Sequence, residues 1–452
     1  MADGSACQSQ EFPTPADLIA ARPHLSWHAF DGLMIEGVPL AAIAADLGTP
    51  TYVYSEAAIR HRYAALSAAL KATGLATQIR YAVKANDHLA ILRLLGGLGA
   101  GADVVSEGEL ARALEAGIPA GRIVFSGVGK SRNELAVALA SGLDQINIES
   151  AEELAELSAI ASELGRTARV ALRVNPDIDA HTHAKITTGR AQDKFGIPAA
   201  DVPGLYAHAA ALPGIKPVGL AVHIGSQIMT LAPYRMSFAV LASLAEEIRA
   251  ANLPLDRLDC GGGLGVAYAN EPAPLPEGLA GALGASFRAL GVELLLEPGR
   301  WLVADAGLLL AAVIRVKDGS ERPFIVLDAG MNDFLRPALY DAWHGVVPVG
   351  PSRGGPIGAA DVVGPVCESA DAFARGRPLP AVRAGDLVAI LDTGAYGRVM
   401  ASTYNARPLA AEAIVRGARW ATIRSRQPLE AMWADERLPD WQIVSRSEAG
   451  EG

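Results

Sequence analysis

The chain has 452 residues and a mass of 46.9 kDa, enough for two or three domains and too much for a disulfide miniprotein or a single small module. Hydrophobic residues make up 50% and charged residues 19%, which excludes a disordered chain. The net charge of −10, from 39 Lys and Arg against 49 Asp and Glu, argues against a nucleic-acid or anionic-membrane binder. Three dispersed cysteines, Cys7, Cys260 and Cys367, offer neither a disulfide framework nor a CxxC metal pair, so a cytoplasmic protein without a metal site is expected. The first residues lack the basic start and apolar run of a signal peptide, and no apolar stretch reaches the roughly 18 residues of a membrane span. Only seven of the 39 basic residues are lysines, so each lysine is conspicuous.

A polar start leads into GLMIEGVPLAAIAADLGTPTYVYS (32–55), read as a short strand, a helix, and a strand or turn at Gly48–Pro50. Short apolar runs then recur at Ile79–Val83, Ala102–Val105, Ile123–Phe125, Gln145–Ile148, Val170–Val174, Val218–Ile224, Leu255–Cys260 and Val292–Leu296. Between them lie segments of helical periodicity such as 106–117 and 150–165, each opening on Ser and closing on Gly; Ser150 and Glu153 have capping-box spacing. Eight strands alternating with helices over about 250 residues predict a (β/α)8 TIM barrel, with an open doubly wound sheet as the competing arrangement. After residue 305 the texture changes to apolar runs separated by Gly, Pro and Asp turns, which predicts a β-rich domain of barrel or sandwich type. The expected division is an N-terminal segment 1–49 lending a strand to the β domain, a barrel over 50–304, and the β domain over 305–452. Residues 350–361 read as a loop.

In a barrel the reactive groups gather at the carboxyl ends of the strands. Those ends supply Lys84, Asp103, Arg173, His223, Gly261–Gly263 and Glu297–Arg300. Lys84 in YAVKAN follows an apolar strand directly; a desolvated lysine has a depressed pKa and can attack a carbonyl, whereas an isolated one merely snorkels. CGGGLG (260–265) fits either a phosphate nest or a tight turn; Val266 stands where a dinucleotide fingerprint needs glycine. GVGKS (127–131) fails as a phosphate loop because Val124 occupies the required glycine position. HIGSQ (223–227) places an imidazole that either packs structurally or lies on an aromatic ring, and EPGR (297–300) gives an acid and a guanidinium around a turn. HTHAK (181–185) lacks a third metal ligand and reads as a loop. Beyond the barrel, Arg336 and Tyr340 stand at i, i+4, Cys367 adjoins Glu368, and Tyr396 lies between glycines.

The motifs YAVKAN, ADVVSEGEL, HIGSQ, GGGLG, EPGR, GMNDFLRPALYDAWH, GPVCESAD and DTGAYG, in that order over about residues 30–425, resemble the meso-diaminopimelate decarboxylases. These are enzymes of the fold-type III, alanine-racemase-like group that use pyridoxal 5'-phosphate. The resemblance implies that Lys84 holds the cofactor as an imine and that His223 stacks on its ring. It gives Ser226, Gly261, Gly262, Gly263 and Tyr396 to the phosphate, and Glu297 to the ring nitrogen. Asp103, Arg173, Pro298, Gly299 and Arg300 complete the implied cofactor site. Arg300, Arg336, Tyr340, Glu368 and Tyr396 are implied to receive the distal carboxylate and amine of the substrate, and Cys367 to reprotonate the carbanion. A homodimer is implied, with CESAD donated by the partner subunit. Decarboxylases acting on ornithine, arginine or carboxynorspermidine, and a catalytically silent relative, are the alternatives. The latter is disfavoured because both Lys84 and Cys367 are present.

Overall fold

The computed structural model describes residues 12–442 except 181, 182, 184, 186, 187, 191 and 352–357. Cys7, His181 of the HTHAK segment and most of the glycine-rich part of 350–361 lie outside the described residues.

Strands β1 (Leu25–His28), β2 (Gly32–Ile35) and β3 (Val38–Pro39) form a small antiparallel sheet, and β4 (Thr51–Ser55) follows. A closed parallel barrel is then built from β5 (Thr77–Ala82), β6 (Gly101–Val104), β7 (Ile123–Phe125), β8 (Gln145–Ile148) and β9 (Ala168–Asn175). The two-residue β10 (Ile197–Pro198) is a rung beside β9, and β11 (Ile215–Val222), β12 (Arg257–Asp259) and β13 (Glu293–Leu296) complete the ring. Pairing of β13 with β5 and of β8 with β9 closes it, so the barrel and not the open sheet is formed. Each of its eight main strands falls on one of the eight expected apolar runs, six of them with shifted ends, because parallel strands covered by helices are buried on both faces. The interior is nevertheless polar: Gln145 on β8 reaches across to Asp259 on β12 at 3.3 Å.

The helices begin where the serines predict. Ser106 Oγ accepts the Glu109 N–H and Ser150 Oγ the Glu153 N–H, each at 3.2 Å. The reciprocal half of the Ser150 capping box is not made. The Glu153 carboxylate instead takes the Glu149 N–H at 2.8 Å and pairs with Lys130 at 2.7 Å, because that buried ammonium needs a counter-charge.

The second sheet contains β14 (Gly307–Lys317), β15 (Phe324–Leu327), β16 (Val346–Pro348), β17 (Gly358–Val363), β18 (Ala372–Leu379), β19 (Leu387–Ile390), β20 (Ala411–Arg416) and β21 (Arg419–Arg424). Its ninth strand is β4, which lies between β14 and β20. The strand donated to this sheet is therefore 51–55, from within the range assigned to the barrel, while β1–β3 form a sheet of their own that touches the β domain through the Leu33 N–H bond to Val349 O at 2.8 Å. TYVYS is buried along its whole length and needs neighbours on both edges, which β14 and β20 supply. The loop expected over 350–361 also needs correction: β17 starts at Gly358 because β15 and β18 pair with it, overriding the weak strand propensity of GAAD.

Candidate active site

Lys84 sits in a single 3-10 turn, Val83–Ala85, at the carboxyl end of β5. The turn is clamped from the β domain: Tyr396 N–H donates to Ala85 O at 2.8 Å, and Asn86 Nδ2 donates to Gly394 O at 3.0 Å. From the barrel side, Ala82 N–H bonds Pro298 O at 3.2 Å, and Gly299 packs on Ala82 and Ala85. Lys84 Nζ lies 3.0 Å from Asp103 Oδ2 at the end of β6. Burial by itself lowers the lysine pKa, as the sequence suggested, but Asp103 and Glu297 outweigh it and hold the amine charged, above the ordinary lysine value.

Below Lys84 three buried acids converge: Asp103, Asp259 and Glu297. Burial, then Asp103 and Asp259, push Glu297 well above the usual carboxylate range. Asp103 Oδ1 has no hydrogen-bond partner among the described residues. One lysine does not balance this group.

Burial, followed by the charges of Lys84 and Arg173, keeps His223 neutral, well below the ordinary histidine pKa. Its Nδ1 accepts the Gly262 N–H at 3.1 Å, which leaves the proton on Nε2. The Gly261 N–H is likewise taken, by Asp259 Oδ1 at 3.1 Å. The glycine nest is thus narrower than its spacing predicted. A Cβ at Gly261 or Gly262 would fall 2.1 Å from Val222 O or 2.0 Å from Glu297 O, so close strand packing also requires these glycines. Arg173 pairs with Glu149 at 2.6 Å and lies over the Phe195 ring at 4.9 Å.

Two chambers share Lys84, Thr188 and His223. The inner one, about 350 Å³, reaches Glu297, Ser126, Asn147 and Arg173. The outer one, about 380 Å³, is lined by Ser226, Arg300, Arg336, Tyr340 and Tyr396, among others. Arg300 Nη2 donates to Ser226 Oγ at 3.0 Å and Nη1 to Tyr268 Oη at 2.7 Å, and its guanidinium lies over Tyr396 at 4.7 Å. Arg336, at the start of the helix Arg336–Tyr340, lies over the Tyr268 ring at 5.2 Å. Both arginines are buried, and neither is paired with a carboxylate among the described residues. The outer chamber is therefore an anion pocket facing a lysine.

Two expected residues are not brought into it. Cys367 and Glu368 are exposed: the thiol contacts Asn405 at 3.4 Å, and Glu368 Oε1 accepts the Tyr404 hydroxyl at 2.6 Å. Conversely, Tyr268 and Glu271 line the pocket without having been anticipated. They sit in an aperiodic loop after the glycine triplet; only the proximity of AYANEP to that triplet hinted at them.

Residues 56–304 match the family model described as "Pyridoxal-dependent decarboxylase, pyridoxal binding domain". A diaminopimelate decarboxylase of Zymomonas mobilis is 46% identical over 412 residues, 90% of this chain and 97% of that protein. One from Pseudomonas fluorescens is 44% identical over 407 residues, 90% of this chain and 97% of that protein. The chain belongs to the diaminopimelate decarboxylase family. Among solved structures, the diaminopimelate decarboxylase of Helicobacter pylori complexed with L-lysine superimposes with a TM-score of 0.85 at 40% identity. It covers 88% of this chain and 98% of its own. The superposition therefore runs over most of both the barrel and the β-rich domain of this chain.

Proposed function

We propose that this diaminopimelate decarboxylase family member converts meso-2,6-diaminopimelate to L-lysine and CO2 with pyridoxal 5'-phosphate as cofactor. The observation that carries the reading is the pair of buried, acid-free guanidiniums, Arg300 and Arg336, facing Lys84 across the outer chamber.

The inner chamber fits the ring of the cofactor chemically, and the outer one, through Ser226 and Tyr396, its phosphate. Lys84 and Glu297 both line the inner chamber, the first suited to a carbonyl and the second to a pyridine N–H. The surplus of buried acid, with an orphaned Asp103 oxygen, suits a group that brings a cationic ring nitrogen. Bound there, pyridoxal phosphate supplies an electron sink for the pair left on Cα when CO2 departs. The roles of the protein follow from its charges. Glu297 would hold the proton at the ring nitrogen and His223 would offer the ring a neutral flat face, while Asp103 keeps a counter-charge beside Lys84 Nζ. Ser226, whose oxygen accepts from Arg300, keeps its own proton to donate, and with Gly263 and Tyr396 it would hold the phosphate. Arg300, Arg336 and Tyr340 would take the distal carboxylate and so orient the substrate at its other end. A substrate lacking that distal carboxylate leaves two buried cations unpaired, which rejects it.

Cys367 and Glu368 lie outside the pocket of their own chain, which supports a homodimer in which each subunit donates them to the other's site. There Cys367 Sγ would deliver the proton that replaces CO2 at Cα, and Glu368 would bind the distal amine. An exposed thiol kept for that purpose favours a reducing, cytoplasmic setting. The test is CO2 release by purified protein with added cofactor from meso-diaminopimelate, ornithine and arginine. Release from diaminopimelate alone is expected, and turnover of ornithine or arginine without it refutes the assignment.

A further inference from the structure

His344 has no part in the chemistry above, yet it lies directly behind the substrate arginines. It is fully buried, at 0% exposure. Two residues later β16 begins its antiparallel pairing with β19, and Leu391 N–H donates to Gly345 O at 2.8 Å, so the sheet itself sets the position of the ring. Arg336 Nε lies 3.3 Å from His344 Nε2. A guanidinium only donates, so Nε2 must accept. The ring proton is then on Nδ1, which donates to Leu391 O at 2.9 Å. Tyr268 and Phe334 meet the imidazole edge-on at centroid distances of 4.8 and 4.6 Å. Tyr268 links the same imidazole to the second arginine: its ring lies under Arg336, and its hydroxyl takes an N–H from Arg300 at 2.7 Å. Burial, then the charge of Arg336, hold His344 neutral.

An anion pocket needs cations that are held rigidly but not neutralised. A carboxylate behind Arg336 would orient it and cancel its charge, whereas a neutral imidazole nitrogen orients it and leaves the charge for the ligand. We propose that His344 is a positioning residue for substrate selection: it fixes the guanidinium plane of Arg336 and, through Tyr268, that of Arg300, so that both present N–H groups to the distal carboxylate of the substrate. This inference rests on the decarboxylation of diaminopimelate proposed above.

Two variants of the holoenzyme separate positioning from mere packing. The short amide of His344→Asn can keep the bond to Leu391 O but cannot reach Arg336, while His344→Gln places its oxygen near the Nε2 position and gives up Leu391. The readouts are kcat and KM for meso-diaminopimelate and the inhibition constant of L-lysine, which retains the distal amino and carboxylate groups. His344→Asn should raise KM and the lysine constant together by about tenfold, with kcat within about twofold, and His344→Gln should recover most of that loss. A wild-type KM in His344→Asn, or His344→Gln more impaired in KM than His344→Asn, overturns the proposal. If His344→Asn does not fold, an unrecovered KM in His344→Gln overturns it equally. Wild-type protein that releases no CO2 from diaminopimelate fails the functional reading and this inference with it; normal wild-type turnover with either adverse pattern sinks this inference alone.

Discussion

Lys84 illustrates how a single side chain takes its state from distant groups. Its attachment to β5 puts it at the barrel mouth, but its charge is governed by Asp103 and Glu297, which two other strands bring beneath it. An acid elsewhere gives a measurable counterpart. Asp333 is buried outside the pocket, and burial pushes its pKa from 3.8 up to about 6, against the pull of the Gly330 N–H and Arg407. Since the folded pKa lies above the unfolded one, the fold binds more protons than the unfolded chain in that window. The stabilising share of Asp333 is complete below 3.8 and lost as pH rises to about 6. Asparagine does not ionise, so the melting temperature of Asp333→Asn relative to wild type should be more favourable above about pH 7 than below about pH 4. Melts in matched buffers check this, and a difference constant across the range refutes it.

At the scale of elements, the site depends on a contact between the Lys84 turn and the 393–397 segment that follows β19. That segment is closely packed: a Cβ on Gly394 would lie 1.9 Å from Val303 O, at the end of the helix Arg300–Val303. Gly394 O is also the acceptor for Asn86 beside Lys84. Backbone cannot yield as a flexible side chain would, so Gly394→Ala should destabilise the protein by about 3 kcal/mol and weaken cofactor retention. A urea melt and the cofactor absorbance after gel filtration measure the two effects. An alanine variant with wild-type stability would show that the segment can shift freely.

For the whole molecule, the decisive feature is that Lys84 and Cys367 belong to one chain but face different surroundings, the first in the pocket and the second on the surface. A shared dimeric site therefore predicts complementation. Lys84→Ala and Cys367→Ala homodimers should each be inactive or slow. After mixing and subunit exchange, hybrid dimers hold one intact site, and activity should approach about a quarter of wild type. Mixing with no gain in activity, once exchange is shown by mass spectrometry, would exclude donation of Cys367 across an interface.

Much of this was legible in the chain alone, for reasons of local physics. Strand runs buried on both faces are continuous in sequence, and serine caps and left-handed glycines mark helix ends, so the barrel and the order of its strand ends could be derived. Because a barrel gathers those ends on one face, Lys84, Asp103, His223 and Glu297 could be grouped before any coordinates. What depended on neighbours distant in sequence could not be derived. The sheet membership of β4 required the edges of β14 and β20, and the upward shift of Lys84 required two acids acting through space. Tyr268 has no local signature, and His344 closes the GMNDFLRPALYDAWH motif without a role that the motif assigns; they matter because an aperiodic loop and a sheet edge meet behind two arginines. The sequence by itself determined which chemical groups stand at the strand ends, since strand periodicity is a local property. Only the tertiary structure decided their charge states, their partners and which of them share a cavity, since burial and Coulomb interaction act across space and not along the chain.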